Sequence, residues 1–183
     1  MDAGIVRILF SEAEIQARLK ELGALITEEL RGKELTAVVI LHGGLILMAD
    51  LLRQIQLPLK MDSLVVQSYH GGTESSGMLK FGNGMPDVEG RHVLLLDDIL
   101  DTGRTLVGVR EKLMTEGKAS GVSSCVLLSK RKDRAKEIDP DYVGFMMDDE
   151  FVVGYGLDYE GRYRNLPFIG VLDPSKIETE GGV

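Results

Sequence analysis

The chain has 183 residues, 44% hydrophobic and 27% charged, with a formal net charge of -8. That length fits one domain whose core stands without disulfides, and the balance excludes a disordered chain. The negative charge disfavours a general nucleic-acid surface, which needs a basic stripe, and a single cysteine, Cys125, excludes an intrachain disulfide or a cysteine-based zinc cluster.

No apolar stretch approaches a membrane span, and the amino end lacks a signal pattern. A single cytoplasmic domain over residues 1–183 is therefore expected, with neither membrane nor nucleic acid as a partner. Ser11 opens Ser-Glu-Ala-Glu, a capping-box pattern completed by Glu14. Ile15, Leu19, Leu22, Ile26 and Leu30 follow at helical spacing, and Gly32 supplies a stop. Ala37 to Leu41 reads as a buried strand that runs into His42-Gly43-Gly44, where two glycines let backbone N–H groups approach a ligand. A helix over 45–55, closed by Pro58, and a strand over 63–68 come next. Residues 69–91 hold six glycines and few apolar side chains, so they read as a long exposed loop or hairpin. Loops of that length in compact domains are often functional lids.

Val93 to Leu96 is continuously apolar, as in a strand covered on both faces of a parallel sheet. Asp97 and Asp98 follow at its carboxyl end, where open α/β sheets hold ligands. Asp101, Thr102, Gly103 and Thr105 then lead into a helix over 105–116, whose free N–H groups and dipole favour an anion. A lone Asp or Thr at such a junction is an ordinary cap. Three carboxylates within five residues repel one another, and a cation or sugar ligand offsets that repulsion. The carboxylates suit ribose hydroxyls or Mg²⁺, and the turn suits a phosphate.

Strands over 122–128, with Cys125 as a buried thiol, and 142–146 complete an alternation of strands and helices. The expected fold class is α/β, a mainly parallel twisted sheet flanked by helices. Arg131, Lys132, Arg134 and Lys136, interrupted by Asp133, Glu137, Asp139 and Asp141, read as a solvated loop or helix face. His70 and His92 lack partner spacing for a metal or a triad and read as structural. The less regular remainder is expected to cap one end of the sheet.

The Val93–Thr105 run resembles the signature of type I phosphoribosyltransferases, which bind 5-phosphoribosyl-1-pyrophosphate (PRPP). The likeness extends in order from about Val6 to Pro174. It implies that family's fold, with a small hood from the terminal segments. Uracil-, orotate- and adenine-specific relatives usually differ at the Asp101 position, and pyrimidine-operon regulators of this fold commonly have Tyr. Asp101 is similar to the 6-oxopurine members, the hypoxanthine-guanine phosphoribosyltransferases. The resemblance implies transfer of the 5-phosphoribosyl group from PRPP to hypoxanthine or guanine, giving IMP or GMP and pyrophosphate, with Mg²⁺ as cofactor. Xanthine is the rival base, and an RNA-binding regulator is the rival outside enzymes. A homodimer or homotetramer is the family's common assembly.

By the same resemblance Asp97 and Asp98 hold ribose hydroxyls, directly or through Mg²⁺. Ile99, Leu100, Asp101, Thr102, Gly103, Arg104 and Thr105 bind PRPP, with 101–105 wrapping the 5′-phosphate. Asp101 also takes the purine N7 proton as general base. Arg104 reads equally as a phosphate helper or a surface helix charge. Leu41, His42 and Gly43 form the pyrophosphate loop, where the peptide after the Leu can be cis. The family usually has Leu-Lys-Gly there, so His42 removes a fixed positive charge. His42 reads evenly as a ligand contact or as a packing or subunit-contact residue. Ser68 and Tyr69 open a mobile lid over about 69–91, which excludes water from an oxocarbenium-like centre. Lys130 hydrogen-bonds purine O6, selecting 6-oxopurines over adenine. Within a base-binding cap of about 147–174, Phe151 stacks on the base and the Val152 backbone bonds its edge. Asp158 binds a second Mg²⁺ through the pyrophosphate, and Arg164 reaches a pyrophosphate oxygen.

Overall fold

The computed structural model describes residues 4–68, 79–82 and 84–176. Its larger sheet is built from β2 (Leu35–Leu41), β3 (Leu59–Ser68), β4 (Leu79–Phe81), β5 (His92–Leu100), β6 (Gly121–Lys130) and β7 (Tyr142–Met147). The strand order is β4-β3-β2-β5-β6-β7. Neighbours from β3 through β7 pair in parallel, and only β4 at the edge is antiparallel. A second, antiparallel sheet of β1 (Ile5–Phe10), β9 (Ile169–Leu172) and β8 (Val152–Val153) forms the hood, in the order β1-β9-β8. The helices are α1 (Glu12–Glu29), α2 (Leu45–Leu51) and α3 (Arg104–Thr115).

Strand geometry sends alternate side chains to opposite faces, and the two central strands obey it. Ala37, Val39, Leu94 and Leu96 enter the core shared with α1 and α2. Val38, Ile40, Val93 and Leu95 enter the core shared with α3. Burial on both faces explains why these strands read as unbroken apolar runs. The Ser11–Glu14 capping box forms in full, and Ile15, Leu19, Leu22 and Ile26 are buried along one side of α1.

Several boundaries differ from expectation. The strand expected at 93–96 continues to Leu100, because Asp97, Ile99 and Leu100 keep register with Val126, Leu128 and Ser129 of β6. The helix expected over 45–55 is α-helical to Leu51 and then tightens into a 3₁₀ turn, Leu52–Gln54. For 69–91 the described residues take the hairpin alternative in part, β4 pairing antiparallel with β3, but Val88 is fully buried against α3 rather than exposed. Gly90 N–H donates to the Lys118 carbonyl, and Arg91 bonds Thr36 Oγ1 and the Leu35 carbonyl, so this stretch belongs to the body of the fold. Tyr69 and His70 lie outside the described residues. His92 has the structural role expected of it, with Nε2 2.9 Å from Ser123 Oγ. Burial pushes the Cys125 thiol up to about 12, which leaves it inert. Among the described residues no helix is long and apolar enough to cross a membrane.

Candidate active site

Because β2 and β5 are parallel neighbours, their carboxyl ends open side by side, the position where α/β sheets hold ligands. β2 delivers Leu41, His42 and Gly43, and β5 delivers Asp97 and Asp98. The Leu41–His42 peptide is cis. A Cβ on Gly43 would overlap the Asp98 carboxylate, which accounts for glycine at this position. From the hood, Gly156 (φ +102°) closes over the same loop, and a Cβ there would overlap the Gly43 carbonyl. Arg164 Nη1 donates to the Gly156 carbonyl at 2.5 Å, while Nη2 pairs with Asp158 Oδ1 at 2.6 Å. Asp158 Oδ2 in turn accepts the Gly161 N–H at 2.8 Å.

Between β5 and α3 the chain turns through Gly103 at φ +76°, where a Cβ would overlap the Lys136 carbonyl. The Lys136 N–H donates back to the Thr102 carbonyl at 3.1 Å. The turn is thus fastened to the loop that follows β6, and its amides lead into the amino end of α3.

These segments surround one cavity of about 430 Å³. Leu41 and Gly43 line one part of it, and Asp97, Asp98, Ile99, Leu100, Asp101, Thr102, Gly103 and Thr105 another. Asp158 and Arg164 complete it from the hood side, with Ile40, Val66 and Leu106 beneath. His42, Arg104, Lys130, Phe151 and Val152 do not line it. His42 and Arg104 are exposed. Ser68 ends β3 and pairs with Leu79.

The electrostatics are unbalanced. Burial, and then the neighbouring Asp98, push the Asp97 carboxyl well above the usual carboxylate range. Burial raises Asp98 as well, against hydrogen bonds from Asp97 and the Ile99 N–H and the attraction of Arg164. A buried carboxylate and a half-buried one therefore face the cavity with too little positive charge beside them.

Asp101 is compensated instead. Lys132 Nζ lies 2.5 Å from its Oδ1 and Lys130 Nζ 3.7 Å from its Oδ2. Both lysines also reach Asp149, Lys130 at 2.8 Å and Lys132 at 3.1 Å. Together they hold the Asp149 carboxyl below its ordinary value. Lys130 is the more enclosed of the two, its side chain 11% exposed. Phe151 is partly exposed and meets Tyr159 edge-on, with centroids 5.7 Å apart. Val152 is buried in β8, the edge strand of the hood, so one side of its backbone is left outside the sheet ladder.

Three participants were not read from the sequence: Gly156, Lys132 and Asp149. Gly156 stood within the expected base-binding cap without a role of its own. Lys132 sat in the stretch read as solvated, and acidic neighbours masked it. The structure corrects that reading for Lys132 and for Arg134, which turns inward to bond Ser129 Oγ and the Lys130 carbonyl, while Arg131 and Lys136 are exposed as expected.

The chain matches the phosphoribosyl transferase domain family over residues 9–160. It is 46% identical over 175 residues to the hypoxanthine-guanine phosphoribosyltransferase of Lactococcus lactis, a match covering 95% of this chain and 94% of that protein. The Streptococcus pneumoniae protein of the same name is 44% identical over 173 residues, 94% of this chain and 96% of its own. Among solved structures, a hypoxanthine phosphoribosyltransferase from Staphylococcus aureus superposes with a TM-score of 0.88 at 42% identity, covering 94% of each chain.

Proposed function

Because this chain belongs to the phosphoribosyl transferase domain family, we propose that it is a purine salvage enzyme acting on 6-oxopurines. It transfers the 5-phosphoribosyl group from PRPP to hypoxanthine or guanine, releasing pyrophosphate and IMP or GMP. The observation that carries this reading is the single cavity lined at once by the glycine loop, the Asp97–Asp98 pair, the turn 101–105 and the Asp158–Arg164 pair.

The residues fit a bound Mg²⁺. Asp97 and Asp98 are hard oxygen donors, buried and half-buried respectively, and short of compensating charge. Mg²⁺ takes one or two carboxylates and completes its shell with substrate oxygens and water. When bound, it supplies charge neutralisation at the leaving pyrophosphate. Asp158, a further carboxylate on the cavity wall, would hold a second ion through the pyrophosphate.

Gly43 and the flanking backbone of Leu41 and His42 cradle the pyrophosphate, and Arg164 donates to one of its oxygens. The turn from Ile99 to Thr105 holds the ribose 5′-phosphate through amides and hydroxyls, with Arg104 at its outer edge. Lys130 donates to purine O6, Phe151 covers the base and the free side of the Val152 backbone bonds its edge. This fixes N9 below C1′. Asp101 takes the N7 proton as the N9–C1′ bond forms and the C1′–pyrophosphate bond breaks. Ser68 and Tyr69 begin a lid that keeps water from the cationic sugar. The enzyme works in the cytoplasm as a homodimer or homotetramer, without nucleic acid.

The substitution Asp101→Asn tests the proton assignment. It is expected to lower kcat by about a hundredfold, within the range for losing a general base, while Mg²⁺-dependent PRPP binding by calorimetry survives. An Asp101→Asn enzyme with unchanged kcat would overturn it.

A further inference from the structure

We propose that Lys132 is a positioning residue for phosphoribosyl transfer: its ammonium holds the Asp101 carboxylate in place, and so frees Lys130 for the substrate. The inference rests on the reading of Asp101 as the acceptor of the N7 proton. Its basis is a difference in distance, 2.5 Å from Lys132 to Asp101 Oδ1 against 3.7 Å from Lys130 to Oδ2. Lys130 makes its shorter contact with Asp149, at 2.8 Å. A donor withdrawn from Asp101 toward a purine O6 would leave a lone carboxylate at the reacting edge. The second lysine keeps that carboxylate compensated throughout.

Lys132 is not a loose surface cation. The Arg131 N–H before it donates to the Met147 carbonyl at 2.7 Å. After it, Arg134 Nη2 bonds Ser129 Oγ at 2.8 Å and the Lys130 carbonyl at 3.0 Å. Both oxygens of Asp149 lie within 3.2 Å of Lys132 Nζ. Its side chain is 27% exposed. The two carboxylates, Asp101 foremost, push the Lys132 ammonium above the ordinary lysine value, so it stays charged at neutral pH.

Asp101 lines the substrate cavity, whereas Lys132 lines another of about 450 Å³ with Asp133, Arg134, Glu137, Ile138 and Asp139. The Lys132 ammonium is engaged by the two carboxylates of Asp101 and Asp149, so it acts through Asp101. The charged groups around Asp101 are Lys130 at the end of β6, Lys132 on the following loop and Asp149 before β8, with Asp97 and Asp98 on the strand that precedes it. The neighbouring Arg131 is occupied by Asp148 at 3.3 Å.

The test measures kcat and both KM values for the full chain and for Lys132→Met, Lys132→Gln, Lys132→Arg and Asp101→Asn. Losing the cation leaves the Asp101 carboxylate free to turn from the reacting edge, so kcat should fall while substrate binding survives. Lys132→Met and Lys132→Gln are expected to lose about tenfold in kcat, with KM for PRPP within about twofold. Lys132→Arg should restore most of the loss. Neutral variants with the parent's kcat, or with KM for PRPP raised as much as kcat falls, would overturn the inference. If Asp101→Asn loses turnover while the neutral Lys132 variants do not, the Lys132 role alone fails. If Asp101→Asn is fully active, the proton assignment itself fails.

Discussion

Asp97 and Asp98, the proposed ribose and Mg²⁺ ligands, illustrate how a cluster of charge is held at the expense of the free protein. Both carboxyls are raised above their ordinary range by burial, so the folded chain binds protons more tightly than the unfolded chain does. For an acid the sign follows directly: stability is highest below about pH 4, where both states are protonated, and declines as pH rises toward the raised native values. The metal- and PRPP-free protein should therefore lose thermal stability as pH rises out of the acid range, to the extent set by this pair. Asp97→Asn is expected to raise the melting temperature of the free protein near neutral pH by roughly 2–4 °C, the shift that about 1 kcal/mol makes in a chain of this size, while abolishing turnover. A lowered melting temperature would contradict the electrostatic penalty. The three clustered carboxylates could be read from sequence because like charges so close together need a ligand. Lys132 and Asp149 could not, because their significance lies in meeting Asp101 across three separate segments.

At the level of elements, the hood is fastened to the body by Tyr155. This residue sits at φ 50° in the turn between β8 and Gly156, and its N–H donates to the Leu166 carbonyl. Its hydroxyl donates to Asp50 Oδ2 on α2 at 2.5 Å, where Gln16 of α1 also bonds at 3.0 Å and Arg53 completes the cluster. The fastening sets where Gly156 meets the Gly43 loop. Tyr155→Phe removes a hydrogen bond to a charged group, worth about 1.5–3 kcal/mol. A fall of roughly 3–12 °C in melting temperature is expected, together with a raised KM for PRPP. Melting and KM both unchanged would show that the hood is positioned otherwise. The parallel strands were readable because burial on both faces leaves an apolar run. The hood strands were not: β1 exposes Val6, Arg7 and Ile8 and is interrupted by two register shifts, while β8 has only two residues. Val88 was missed because a single apolar residue among glycines carries no period, yet it is fully buried.

Across the whole molecule, the proposed function has a chain of net charge -8 receive a polyanion. Its means are local: amides at Gly43 and at the start of α3, the Arg164 guanidinium, and a carboxylate pair that invites a divalent cation. Chelation of divalent cations with EDTA should therefore abolish PRPP binding in calorimetry and leave the far-ultraviolet circular dichroism of the free protein unchanged. PRPP binding at full strength in EDTA would rule out the cation's part. The parallel order of β3-β2-β5-β6-β7 is what brings distant segments to one edge, and chain alternation made that class of fold readable. The most direct test of the central claim is nucleotide formation from PRPP and Mg²⁺ with hypoxanthine, guanine, xanthine, adenine and uracil supplied in turn. Turnover of hypoxanthine or guanine, with adenine and uracil inert, is the expected result. Turnover of adenine or uracil, or none with any base despite PRPP binding, would contradict it.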